Sequence, residues 1–154
     1  MINVFALGRL GYTAFMLSPR LPASAVASLL TTCKSDALLY AETTKTISNF
    51  LKSLLPDVTT HPVVSCSEYD TSEHAKSPEF KRDNIDEDKE KDKKYVILHS
   101  SGSTGLPKPI DFTNERLLTT TIYALPHKAF LSLPLSHAQG LIVYTQHIYS
   151  RQTL

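Results

Sequence analysis

Residues 95–108 run Tyr95-Val96-Ile97-Leu98-His99 and then Ser100-Ser101-Gly102-Ser103-Thr104-Gly105-Leu106-Pro107-Lys108. The first five are almost continuously apolar, the pattern of a central strand covered on both faces. The next nine are small, hydroxylic and glycine-bearing, so a buried strand passes directly into a tight polar loop. Gly102 and Gly105 stand three apart and carry no Cβ, which lets the backbone turn sharply and approach a ligand. The hydroxyls of Ser101, Ser103 and Thr104, with exposed backbone N–H groups, are suited to donate to phosphate oxygens. Lys108 adds a compact positive charge at the loop's end. A hydrogen bond to a charged partner is worth about 1.5–3 kcal/mol, so several together suffice to hold a triphosphate.

A Walker A loop requires GxxxxGK[ST]. Here Leu106-Pro107 separate the second glycine from the lysine, and Pro109 follows it, so that motif fails. The remaining alternative is a Gly/Ser/Pro turn that merely links two strands.

Working outward, strands and amphipathic helices alternate. Thr13–Leu17 is a short strand candidate ending at Ser18-Pro19. Ala25, Val26, Leu29, Leu30 and Cys33 fall on one helix face. Ala37–Tyr40 reads as a strand, Ile47, Phe50, Leu51 and Leu54 as a helix stopped by Pro56, and Val63-Val64 as a third strand. Such alternation predicts βαβ units around a parallel sheet. Residues 67–94 break the pattern. Asp86–Lys94 is charged at every position with both signs mixed, which predicts a solvated, disordered loop. Beyond the polar loop, Ile110–Phe112 is a strand candidate. Thr113 is a candidate N-cap for a helix carrying Leu117, Leu118, Ile122 and Leu125 up to Pro126. Ala129–Leu133 reads as a strand and Ala138–Tyr149 as a buried helix.

Composition narrows the function classes. The 154 residues are enough for one domain with a real core, and 42% hydrophobic with 20% charged content is that of a soluble protein. Sixteen basic against fifteen acidic residues give a net charge of +1, no electrostatic reason for a nucleic-acid or acidic-membrane partner. Cys33 and Cys66 make neither a disulfide framework nor a metal pattern, and the six histidines lack zinc-site spacing. The N-terminal stretch Met1–Arg20 lacks a basic n-region and is interrupted by Arg9, unlike a signal peptide. No uncharged apolar run approaches the roughly 20 residues that span a bilayer. A cytoplasmic protein is expected.

The string Leu98–Ile110 resembles the signature loop of the adenylate-forming (AMP-binding) superfamily, which includes acyl-CoA synthetases, luciferases and nonribosomal-peptide-synthetase adenylation domains. Pro109 replaces the usual glycine after the lysine. That Lys-Pro-Ile variant resembles the fungal synthetase-like enzymes that pair adenylation with a carrier domain and often a reductase domain. Two weaker matches stand in the family's order. Ala6–Tyr12 with Leu17–Leu21 looks like an earlier helix-to-strand segment. Pro134–Gly140 is similar to a PLFHxxG segment, with Ser136 for the usual aromatic.

The resemblance implies an α/β fold in which residues 1–154 form part of the large, layered, parallel-sheet N-terminal domain. It implies activation of a carboxylic acid by ATP, with acyl-adenylate and pyrophosphate as products. Ser100, Ser101, Gly102, Ser103, Thr104, Gly105 and Lys108 would hold the β- and γ-phosphates, Thr104 would lie nearest Mg²⁺, and His137 would lie near the acyl pocket. A lone histidine also serves structural ends. A carrier domain is an implied partner. The family's YGxTE segment, ribose-binding aspartate and C-terminal catalytic lysine have no match here, so no activity is expected of residues 1–154 alone. Two readings stand: a piece of a carboxylate-activating ligase, or a non-catalytic remnant that at most binds nucleotide phosphates weakly.

Overall fold

The computed structural model describes residues 2–64, 80–82, 85–100, 105–122 and 131–150. The chain divides into two units, one of Met1–Ser18 with Arg82–Leu154 and the other of Pro19–Lys81.

In the first unit, helix α1 (Ile2–Arg9) leads into the short strand β1 (Ala14–Phe15). The turn between them is a Schellman cap: Tyr12 N–H bonds the Leu7 carbonyl and Gly11 N–H that of Gly8. Gly11 takes φ +87 there, a value costly for any residue with a Cβ. Strand β4 (Lys94–His99) lies at the centre of a three-stranded sheet, parallel to β1 and antiparallel to β5 (Pro109–Thr113). Its buried run Val96, Ile97 and Leu98 bears out the reading of a strand covered on both faces. Val96 and Leu98 share one face and join Ala14, Phe112 and Leu141 in the core. At the strand edge, Lys94 pairs with Asp111 at 2.6 Å.

Helix α5 (Asn114–Ile122) follows β5 immediately, and α6 (Ala138–Ser150) closes the described part of the unit. Thr113 caps α5 as expected, its hydroxyl oxygen accepting from Arg116 N–H. The inward face of α5 differs from the expected stripe. Leu117 packs on the core, but Leu118 and Ile122 are exposed and Thr121 is buried. Thr121 can be buried because its hydroxyl donates to the Leu117 carbonyl and lies 3.3 Å from the Thr145 hydroxyl of α6. Leu131–Leu133 form no strand, and the remainder of that candidate lies outside the described residues.

The charged run is corrected in part. Helix α4 (Glu87–Asp92) forms within it, capped by the Asp86 carboxylate accepting from Lys89 N–H. Ion pairs Lys89–Asp86 and Lys91–Asp88 run along it at helical spacing. The Glu90 carboxylate takes both arms of Arg82, at 3.0 and 2.6 Å. Its backbone carbonyl accepts from Asn114 Nδ2. Tertiary partners thus order what local composition would leave solvated. The rest of the expected loop, up to Glu79 and again at Asp83 and Asn84, lies outside the described residues.

The second unit is a β–α–β arrangement preceded by helix α2 (Ala23–Thr32). Strand β2 (Ala37–Tyr40), a 3₁₀ turn (Glu42–Thr44), α3 (Lys45–Leu54) and β3 (Thr59–Pro62) follow, with β2 and β3 parallel. The strand expected at Val63-Val64 lies instead at Thr59–Pro62 and ends before both valines, because the register Ala37↔Thr59 to Tyr40↔Pro62 sets its limits. Ala25, Val26, Leu29 and Leu30 are buried on α2 as the periodicity requires. That helix also ends in a Schellman cap, with Ser35 N–H on the Leu30 carbonyl and Lys34 at φ 50.

Two glycines face different neighbours. A Cβ on Gly140 would run into the backbone carbonyls of Pro134 and Leu133, whereas one on Gly8 would meet the far end of the Tyr95 ring. Backbone cannot yield as a side chain can. Gly140→Ala is therefore expected to cost about 1–3 kcal/mol and Gly8→Ala less, read by urea denaturation of the full-length protein.

The Arg82 guanidinium holds the Glu90 carboxyl below its ordinary 4.5, and Lys93 nearby adds to the effect. A depressed carboxylate stabilises the fold above its ordinary value and loses that contribution as pH falls through the folded one. Acidification below about pH 4 should therefore move the α4 backbone NMR shifts toward coil values, and Glu90→Gln should show the same shifts at neutral pH.

Candidate functional site

The polar loop is the turn of a hairpin. Because β4 and β5 are antiparallel and His99 pairs with Pro109, residues 100 and 108 face one another at its mouth. Two hydrogen bonds close that mouth. Ser100 N–H donates to the Lys108 carbonyl at 2.9 Å, and Lys108 N–H donates to Ser100 Oγ at 2.9 Å. The Ser100 side chain thus acts first on the loop's own geometry, leaving its hydroxyl hydrogen for a ligand. Pro109, which has no N–H, begins β5 with no loss to the clasp.

Lys108 is exposed, and among the described residues its ammonium makes no ion pair with a carboxylate. Gly105 is exposed at φ +154, and a Cβ there would meet nothing within 4 Å. The expected phosphate ligands Ser101, Gly102, Ser103 and Thr104 lie outside the described residues, and with them the expected magnesium contact of Thr104. Among the described residues no group of three or more His, Cys, Asp and Glu could hold a metal ion.

His137 sits at the start of α6, exposed, in the turn Leu135–His137. Its backbone N–H bonds the Pro134 carbonyl at 2.9 Å, and its Nδ1 accepts from Gln139 N–H at 3.3 Å. Accepting at Nδ1 places the proton of the neutral ring on Nε2. The residue is a helix cap, satisfying one of the amide donors that every helix start leaves open. The structure does not bring His137 and the Ser100–Lys108 clasp together through any hydrogen bond among the described residues.

Sequence reading gave His99 no role. Its ring nevertheless hydrogen-bonds both Ser100 and Ser18. No local signal could have found this contact, because Ser18 lies 81 residues away in the chain.

Comparison with known proteins follows the same outline. A family model described as AMP-binding enzyme matches residues 1–153. An adenylate-forming reductase of Aspergillus terreus is 30% identical over 92% of this chain, which spans 14% of that protein. ATP-bound MatB from Rhodopseudomonas palustris superposes with a TM-score of 0.75 at 16% identity, over 99% of this chain and 31% of its own. The o-succinylbenzoate CoA synthetase MenE of Bacillus subtilis, in complex with its acyl-adenylate intermediate, gives 0.67 at 19% identity, over 98% and 38%. At these identities the two solved structures establish a common fold. It is mixed α/β with parallel sheet elements, like the matched N-terminal regions. No helix among the described residues is long and apolar enough to cross a membrane.

Substitution at position 137 separates capping from chemistry. Asparagine caps helices at least as well as histidine, and leucine does not. His137→Leu is expected to lower stability by about 1 kcal/mol and His137→Asn to leave it unchanged in urea denaturation. Carboxylate-dependent turnover lost in the Asn variant at full stability would mark a role in catalysis; turnover retained would leave the cap as its whole function.

Proposed function

The chain belongs to the AMP-binding enzyme family, and from that premise we propose that it carries the phosphate-holding part of a ligase that activates a carboxylic acid with ATP. The observation that carries this reading is the clasped hairpin. Ser100 and Lys108 close its mouth, while the Lys108 ammonium stays exposed beside it.

In this reaction a carboxylate oxygen attacks the α-phosphorus of ATP. The bond from that phosphorus to the bridging oxygen of the β-phosphate breaks, pyrophosphate leaves, and an acyl-adenylate remains. Positioning and charge stabilisation supply most of the rate in such transfers. Ser101, Ser103 and Thr104, with the backbone N–H groups of 101–105, would donate to the β- and γ-phosphates. Lys108 would neutralise the charge that collects on departing pyrophosphate. Magnesium supplies charge neutralisation of the phosphates when bound, and Thr104 is the hydroxyl assigned nearest to it. His137 Nε2–H is the donor assigned toward the acyl carboxylate. A carrier domain is the proposed acyl acceptor, as the resemblance of the Lys108-Pro109-Ile110 variant to fungal synthetase-like enzymes implies. Family membership does not favour the non-catalytic remnant.

The test is ATP–pyrophosphate exchange by the full-length protein across a panel of carboxylic acids. Lys108→Ala should raise the KM for ATP about tenfold to a hundredfold, as expected for one charged hydrogen bond, and Lys108→Arg should recover part of it. Exchange that proceeds at the wild-type KM in Lys108→Ala would remove the loop from the mechanism.

A further inference from the structure

The sheet ends in an unusual way beside the loop. On the β1 side of β4 the parallel ladder runs Ala14↔Val96 and Phe15↔Ile97, with Met16 N–H donating to the Ile97 carbonyl at 2.9 Å. Two residues on, the next inward-facing donor is Ser18 N–H. It meets the His99 ring, at 3.1 Å from Nε2, in place of the strand carbonyl that would come next. The other ring nitrogen, Nδ1, lies 2.9 Å from the Ser100 carbonyl oxygen.

These partners fix the ring. A backbone N–H can only donate, so Nε2 must accept. A carbonyl oxygen can only accept, so Nδ1 must carry the proton. A neutral imidazole with its single hydrogen on Nδ1 satisfies both, and a flipped ring would put carbon at both positions and satisfy neither. The imidazole therefore spans from the exit of β1 to the first residue of the loop. Ser100 is the residue whose N–H and Oγ close the loop mouth on Lys108.

We propose that His99 is a positioning residue for the phosphate loop: as the Nδ1–H tautomer it braces Ser100 against Ser18 and so sets where the loop mouth stands relative to the sheet. The inference rests on the ligase reading for its consequence in nucleotide binding, but its geometry is independent of that reading. Losing the brace leaves the nucleotide's sugar and base contacts alone and relaxes only what the loop holds, the β- and γ-phosphates. ATP and AMP should then respond differently.

The experiment uses the full-length protein and the variants His99→Phe, which keeps ring volume without nitrogens, and His99→Gln, which restores an acceptor toward Ser18. Imidazole ¹⁵N NMR of the wild type should show the Nδ1–H tautomer when the ring is neutral. The Ser18 amide should exchange its hydrogen at least about tenfold faster in His99→Phe, with His99→Gln between the two. ATP affinity should fall about tenfold in His99→Phe while AMP affinity holds. An Nε2–H tautomer, unchanged Ser18 exchange, or equal losses for ATP and AMP would overturn the proposal. If His99→Phe fails to fold, the wild-type tautomer and the His99→Gln exchange rate decide it. If the wild type binds neither ATP nor AMP, the ligase reading fails, and the tautomer and Ser18 exchange still decide the brace.

Discussion

Strand β4 is hydrogen-bonded along both edges, and that double pairing organises the first unit. Val96 stands opposite Ala14 on one side and Phe112 on the other, with no exposed surface of its own. Fully burying an aliphatic side chain of this size stabilises by about 1.5–3 kcal/mol. Val96, Ile97 and Leu98 in succession make the strand hard to displace. Helices α1 and α6 both lay apolar residues against it, through Leu7 and Leu141. A loop that begins at the end of such a strand inherits a fixed origin.

Polar side chains matter most where the regular elements of this unit begin or end. Ser100, Thr113 and His137 all stand where regular hydrogen bonding stops, and each offers an oxygen or nitrogen to a backbone N–H left over by that stop. Ser100 closes the hairpin turn, Thr113 starts α5 and His137 starts α6. The chemistry assigned to this family requires donors and a cation held in a set geometry toward phosphate. In the proposed reading, Ser100 supplies part of that rigidity by closing the hairpin turn on Lys108.

Much of this was legible in the sequence, for reasons that differ by element. The apolar run at β4 and the 3.6-residue spacing of α2 are local signals of burial, and the structure follows them. So is Thr113, whose hydroxyl stands one residue before a helix. Helix α4 was not legible, because Glu90 gains its worth from Arg82 and Asn114, which sequence spacing does not bring near. The start of β3 at Thr59 was set by β2, a partner more than twenty residues away, so Val63-Val64 misled by propensity alone. In α5 the apolar Leu118 and Ile122 point outward while Thr121 is accepted inside, since a hydroxyl bonded to its own helix is cheap to bury. The glycines and lysine of the loop are the residue types behind the phosphate-holding role proposed for it; the His99 contact had no such signal, as half of it comes from Ser18.

The two edges of β4 also differ in how the chain must come together to make them. The β5 edge is a hairpin, closed across a nine-residue turn, and hairpins of this kind form in about 1–10 μs. The β1 edge joins segments separated by 81 residues, and bringing such distant segments together carries a larger closure entropy. The mouth of the loop therefore belongs to the fast, local part of folding, while its orientation waits on the slow arrival of β1. The Ser100–Lys108 clasp thus needs only a local closure and the Ser18–His99 contact a distant one, and His99 is where the two meet.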